Sequence, residues 1–96
     1  MTPDHRTHIR EALAAPSLGS MVAFSRVGQA YEFSMPTLGA KPIGVIEGVS
    51  RVSAGQSGSR VGRWEARDTK GRWRCQSRRR IGAVRGLLAK MLRGAQ

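Results

Sequence analysis

The sequence predicts an α+β fold: a small antiparallel sheet of about four to five strands, with a short N-terminal helix and a C-terminal amphipathic helix packed on the sheet. Three observations carry this. Apolar residues recur at helical spacing near both ends of the 96-residue chain. Between those ends lie short runs rich in β-branched and aromatic residues. Glycine-containing turns punctuate the runs. At this length one domain, residues 1–96, with one modest core is expected.

The elements follow in order. Thr2, Pro3 and Asp4 read as N-cap, first helical position and first-turn acid, and Ile9, Ala12 and Leu13 recur at helical spacing until Pro16 stops the pattern. This predicts a helix within residues 1–16. A β-rich part, 20–53, comes next, with strands Met21–Val27 and Ala30–Met35 joined by a tight turn at Gly28-Gln29. After the Pro36–Pro42 turn region, Ile43, Val45, Ile46, Val49 and Val52 mark a longer strand, and Gly44 and Gly48 within it predict a bulge or bend. The small-residue run Ser53–Ser59 predicts a flexible loop across 53–60.

Residues 61–96 predict a basic hairpin followed by a helix. Val61–Arg67 and Arg72–Gln76 alternate around the turn Asp68-Thr69-Lys70-Gly71, whose glycine stands where φ must be positive. Trp64, Ala66, Trp73 and Cys75 then share one face, and Arg63, Arg67, Arg72, Arg74 and Gln76 the other, with Glu65 its sole acid. The tryptophans could stack on bases, but their phase with Ala66 and Cys75 reads as core anchoring. Ser77 is placed to cap a helix whose stripe is Ile81, Val84, Leu87, Leu88, Met91 and Leu92. The opposite face gathers Arg78, Arg79, Arg85, Lys90 and Arg93 with Gly82 and Gly86. Each of these helical glycines costs roughly 1 kcal/mol relative to alanine. Two reasons for them stay open: close approach of a phosphate backbone or another chain, and packing on the hairpin.

Charge singles out the same segment. The formal net charge is +11, and the sequence pI is about 11.8. Residues 1–59 hold five basic and four acidic side chains, whereas residues 60–96 hold twelve basic and two acidic. Arginine outnumbers lysine 14 to 3, and a GC-rich coding sequence would raise arginine too. It would not confine the excess to one part of the chain. A field this concentrated points to a polyanion or an acidic protein face. Arginines on a two-stranded ribbon suit a duplex groove, where a planar guanidinium meets guanine or phosphate bidentately. Arg78-Arg79-Arg80 at a helix start opposes the macrodipole, so a bound phosphate would relieve it. A solvated basic run is the plainer reading of the same triplet. The candidate nucleic-acid contacts are Arg63, Arg67, Lys70, Arg72, Arg74, Arg78, Arg79, Arg80 and Arg85.

Trp64-x-Ala66-Arg67-Asp68, Gly71-Arg72, Ala83-Val84 and Leu87-Leu88 together resemble the arm-type DNA-binding domain of phage tyrosine integrases. The resemblance covers about residues 60–93. It implies a three-stranded antiparallel sheet packed on a helix, with the sheet in the major groove and Arg63, Arg67, Arg72 and Arg74 facing it. The sequence departs from that family at Ser77-Arg78-Arg79-Arg80, where an aromatic or threonine run is usual, and no recombinase catalytic domain is expected within these 96 residues, so the resemblance does not imply recombination.

Other chemistries find little footing. His5 and His8 stand at i, i+3 but have only Asp4 as a further neighbouring ligand, so no metal site is expected. Glu47 and Glu65 form no recognisable acid/base pair, and no glycine-rich loop ends in a phosphate-cradling Lys-Ser/Thr. Cys75 is the single cysteine, on the expected core face, and excludes an internal disulfide. Met1–Leu13 lacks an apolar run, so neither a signal nor a membrane span is expected, and the expected compartment is the cytoplasm. The expectation is a non-enzymatic protein without cofactor that binds nucleic acid, duplex DNA ahead of RNA, in a regulatory or accessory role. Its chief rival is a phage or mobile-element interaction protein, an inhibitor or assembly factor, docking on an acidic protein. A ribosome-associated or RNA-binding role is third.

Overall fold

The structure, a computed structural model, describes residues 3–39, 41–51 and 60–94. Helix α1, Pro3–Ala14, is followed by a 3₁₀ turn at Leu18–Met21 and by strands β1, Ala23–Val27, and β2, Ala30–Ser34. A second 3₁₀ turn, Pro36–Leu38, leads to β3, Gly44–Arg51, then β4, Arg60–Asp68, β5, Arg74–Ser77, and helix α2, Arg80–Gly94. The expected Thr2 cap and the Ser53–Ser59 loop lie outside the described residues.

The five strands pair in chain order as one antiparallel meander, β1-β2-β3-β4-β5. The fold is α+β, as the sequence predicts. Gly28-Gln29 links β1 to β2 in two residues, with Gly28 at φ 65° and Val27 opposite Ala30. A positive φ at the first turn residue alone is the sign pattern of a type II′ hairpin, which only glycine enters freely.

All fully buried hydrophobic side chains lie on one side of the sheet. Phe33, Ile46 and Ala66 rise from the strands to meet Ile9 and Ala12 of α1 and Ala83, Val84, Leu87 and Leu88 of α2, with Leu18 and Met35 closing the ends. Cross-strand register explains the grouping, because directly paired residues point the same way. Tyr31, Ile46, Ala66 and Cys75 form one inward row, Gly48, Trp64 and Ser77 the next, and Phe24, Phe33 and Gly44 a third.

The structure corrects several expectations. Met21 belongs to a 3₁₀ turn and not to the first strand. The irregularity in the long strand falls between Val49 and Ser50, where Gly62 of β4 is left out of the register. Gly44 serves a different purpose: a side chain there would overlap the Arg67 carbonyl and the Phe33 ring, so its absence lets that ring lie on the sheet. β4 extends to Asp68, whereas β5 starts only at Arg74, because the Asp68 carboxylate accepts the amides of Arg72 and Trp73 and holds both in the turn. Ser77 is the last residue of β5; its Oγ accepts the Arg79 amide at 3.4 Å, and α2 begins one residue after Arg79.

Gly82 and Gly86 do not face solvent. They abut Ser77 and Cys75, and Gly94 abuts Trp73. Residues 82, 86, 90 and 94 thus run along β5, with Lys90 Nζ donating to the Arg74 carbonyl at 2.6 Å. From Gly82 to Gly86 the helix rises about 6 Å while Ser77 to Cys75 spans about 6.7 Å, so this first step of the row matches the strand. Of the two reasons left open for Gly82 and Gly86, packing on the hairpin is the one observed. Among the described residues no helix is long and apolar enough to cross a membrane.

Candidate nucleic-acid interface

The sheet face away from the helices carries Arg63, Arg67 and Arg74, as expected, but not as a free cationic ribbon. Register places Glu32 opposite Val45, which pairs in turn with Arg67, and Glu47 opposite Glu65, so β2 and β3 bring two further acids to this face. Three arginines share this face with three glutamates, and Arg67 and Arg74 pair with Glu47 and Glu65. Arg67 Nη1 lies 3.4 Å from Glu47 Oε2 and 3.8 Å from Glu65 Oε1, and Arg74 Nη1 lies 3.9 Å from the same Glu65 oxygen. Gln76 Nε2 donates to Glu65 Oε2 at 2.9 Å. Glu65 is the hub, and the expectation that it is the face's sole acid is corrected. The hairpin pattern alone could not reveal Glu32 and Glu47, which arrive from strands distant in sequence.

Two other expected contacts have partners within the chain, although Arg80 itself remains exposed. Arg80 lies with its guanidinium carbon 4.3 Å from the Phe24 ring centroid, 5.7 Å from that of Tyr31 and 5.9 Å from that of Trp64. These rings come from β1, β2 and β4 and hold the cation on the sheet beside α2. Arg85 Nη1 donates to the Leu13 carbonyl at 2.6 Å. That carbonyl belongs to the last turn of α1, where no intrahelical donor remains, so Arg85 joins the helices.

The accessible positive charge gathers along the edge formed by β5 and α2. At one end, Arg63 and Arg78 line a shallow recess with Val49 and Gly62, and Arg79 is exposed next to it in the chain. At the other end, Arg72, Arg74, Lys90 and Arg93 border a shallow, open groove of about 490 Å³ whose remaining lining is Trp73 and Gly94. A neighbouring recess of about 310 Å³ shares Arg72, Trp73 and Gly94 and adds Lys70 and Asp68. The Asp68 carboxylate accepts the turn amides and keeps its negative charge, so this recess is less cationic than the groove beside it. α2 spans 15 residues, about 22 Å, which sets the separation of the two cationic ends.

Of the sequence-predicted contacts, Arg72 and Arg74 meet in one groove, Lys70 lies beside it, and Arg63 and Arg78 meet at the opposite end. Lys90 and Arg93 complete the groove and were not among the sequence-predicted contacts. Their signal was present as a spacing of three on α2, but assigning them needs the rotation of α2 that the glycine row imposes. Trp64 and Trp73 both lie on the helix side, as their phase predicts, yet both are half-buried and pack at the margin of the core. Cys75 lies beneath Gly86, as its core-face assignment implies. Among the described residues no group of three or more His, Cys, Asp or Glu side chains gathers as a metal site. No protein-family model, curated protein or solved structure matches the chain.

Proposed function

We propose that this is a small non-enzymatic nucleic-acid-binding protein of the cytoplasm, with a regulatory or accessory role, gripping the phosphate backbone along the β5–α2 edge. The observation that carries the reading is the groove where Arg72, Arg74, Lys90 and Arg93 converge from the hairpin and the helix. Four cations around one concavity repel one another and are most favourably placed with a polyanion between them. Arg78 and Arg79, at the far end of α2, supply a second contact point for the same backbone.

The arm-type resemblance leads toward duplex DNA through a sheet face lying in the major groove. Here that face balances its arginines with Glu32, Glu47 and Glu65, and we therefore place the contact on the edge. Docking on an acidic protein is the competing reading, since the same field would attract carboxylates. The two part on salt and shape: gel shifts with single-stranded DNA, duplex DNA and structured RNA across a salt series should give a steep negative slope of log affinity on log salt. Absence of binding to all three at low salt would defeat the proposal and favour a protein partner.

A further inference from the structure

Trp73 differs from Trp64 in one informative respect. Trp64 is one of three rings beneath the Arg80 guanidinium. Trp73 has Arg72 and Arg74 as chain neighbours and Lys90 and Arg93 lining the same groove, yet among the described residues no cation lies over its ring. Opposite it stands Gly94, where any side chain would overlap the indole. Helix α2 therefore closes on the ring with bare backbone. The two adjoining recesses share Arg72, Trp73 and Gly94, so the indole borders both, with Lys70 lining one and Arg74, Lys90 and Arg93 lining the other. A chain occupying both recesses meets the indole that lines each of them, with Lys70 in one recess and Arg74, Lys90 and Arg93 in the other.

We infer that this groove takes single-stranded nucleic acid, with one base stacked on Trp73 and the flanking phosphates on Lys70, Arg72, Arg74 and Arg93. The inference rests on the nucleic-acid reading above and narrows it. A flat ring bordered by cations matches a nucleotide unit, which offers a π-face and negative charge a short distance apart. A base inside a duplex has both faces covered by its neighbours and cannot offer one to the indole without being extruded. Stacking of this kind tolerates any base, so binding through the groove is expected to be weakly sequence-dependent.

The test uses Trp64→Phe, which keeps a ring under Arg80 and leaves Trp73 as the single tryptophan. Titration with a short oligothymidylate should quench the Trp73 emission saturably, and a duplex of the same length should leave it unchanged. In a parallel series, Trp73→Leu should lower oligothymidylate affinity about ten-fold while the salt slope stays as in the parent chain. Binding of the oligothymidylate with unaltered Trp73 emission would overturn the stacking inference and leave the nucleic-acid reading standing. Failure of every nucleic acid to bind at low salt would overturn both.

Discussion

Gly86 sits directly on the Cys75 thiol: a methyl group added to this glycine would overlap Sγ, whereas it would meet the Cys75 Cβ only at 3.4 Å. One residue of α2 and one of β5 thereby set how closely the helix lies against the sheet edge, and with it the width of the cationic groove two helical turns further on. Gly86→Ala should destabilise the fold by about 1 to 3 kcal/mol through overpacking, although alanine is the better helix former by roughly 1 kcal/mol. Cys75→Ala in the same chain should return most of that loss, because the overlapping atom is gone. Denaturant melts of the two single variants and the double variant check both statements, and additive losses would contradict the contact.

Arg80 is expected to act in folding and not in binding. Its guanidinium lies over Phe24, with Tyr31 and Trp64 close by. Arg80→Ala should cost about 1 kcal/mol of stability and leave the salt slope of nucleic-acid affinity unchanged. A lower slope with unchanged stability would return Arg80 to the contact set.

Arg85 joins α2 to the end of α1 through the Leu13 carbonyl. Arg85→Met keeps much of the aliphatic packing but removes the donor, and should cost about 1 to 2 kcal/mol. Hydrogen exchange should report the loss first in the last turn of α1, with nucleic-acid affinity retained.

Glu65 restrains the arginines of the sheet face by meeting Arg67, Arg74 and Gln76 together. Glu65→Gln should leave stability within about 1 kcal/mol, since these ion pairs are partly exposed. It should raise nucleic-acid affinity at low salt by freeing Arg74, which lines the groove. Affinity unchanged in a salt series would show that Glu65 does not regulate the groove.

The gross fold was legible because it is written locally. Gly28 and Gly71 each stand where a turn requires positive φ, and the stripe Val84, Leu87 and Leu88 faces the core as its period demands. Ser77 misled because a hydroxyl before a helical run has the same appearance whether it caps the helix or ends the preceding strand. The candidate site was legible only in part. Arg72 and Arg74 are recognisable from the hairpin, but their company is tertiary: Lys90 and Arg93 come from the far end of α2, and their orientation follows from the contacts of Gly82, Gly86 and Gly94 with Ser77, Cys75 and Trp73. Glu32 and Glu47 likewise reach the arginine face through strand register, which no local pattern encodes. Gly82 and Gly86 left close approach of a partner and packing on the hairpin equally open in the sequence, and the contact is with the chain's own strand.

The cations of the β5–α2 edge, and not those of the sheet face, are expected to bind nucleic acid. The most direct measurement is the salt dependence of oligothymidylate affinity for the parent chain, for Lys70→Ala/Arg72→Ala/Arg93→Ala and for Arg67→Ala. Removing one phosphate-neutralising side chain lowers the slope by about 0.7 on a single strand, so the edge variant should drop by about 2 units. The sheet-face variant should drop less than half as much, since Arg67 is already paired. An unchanged slope in the edge variant, or a larger drop in the sheet-face variant, would contradict the placement of binding on the edge.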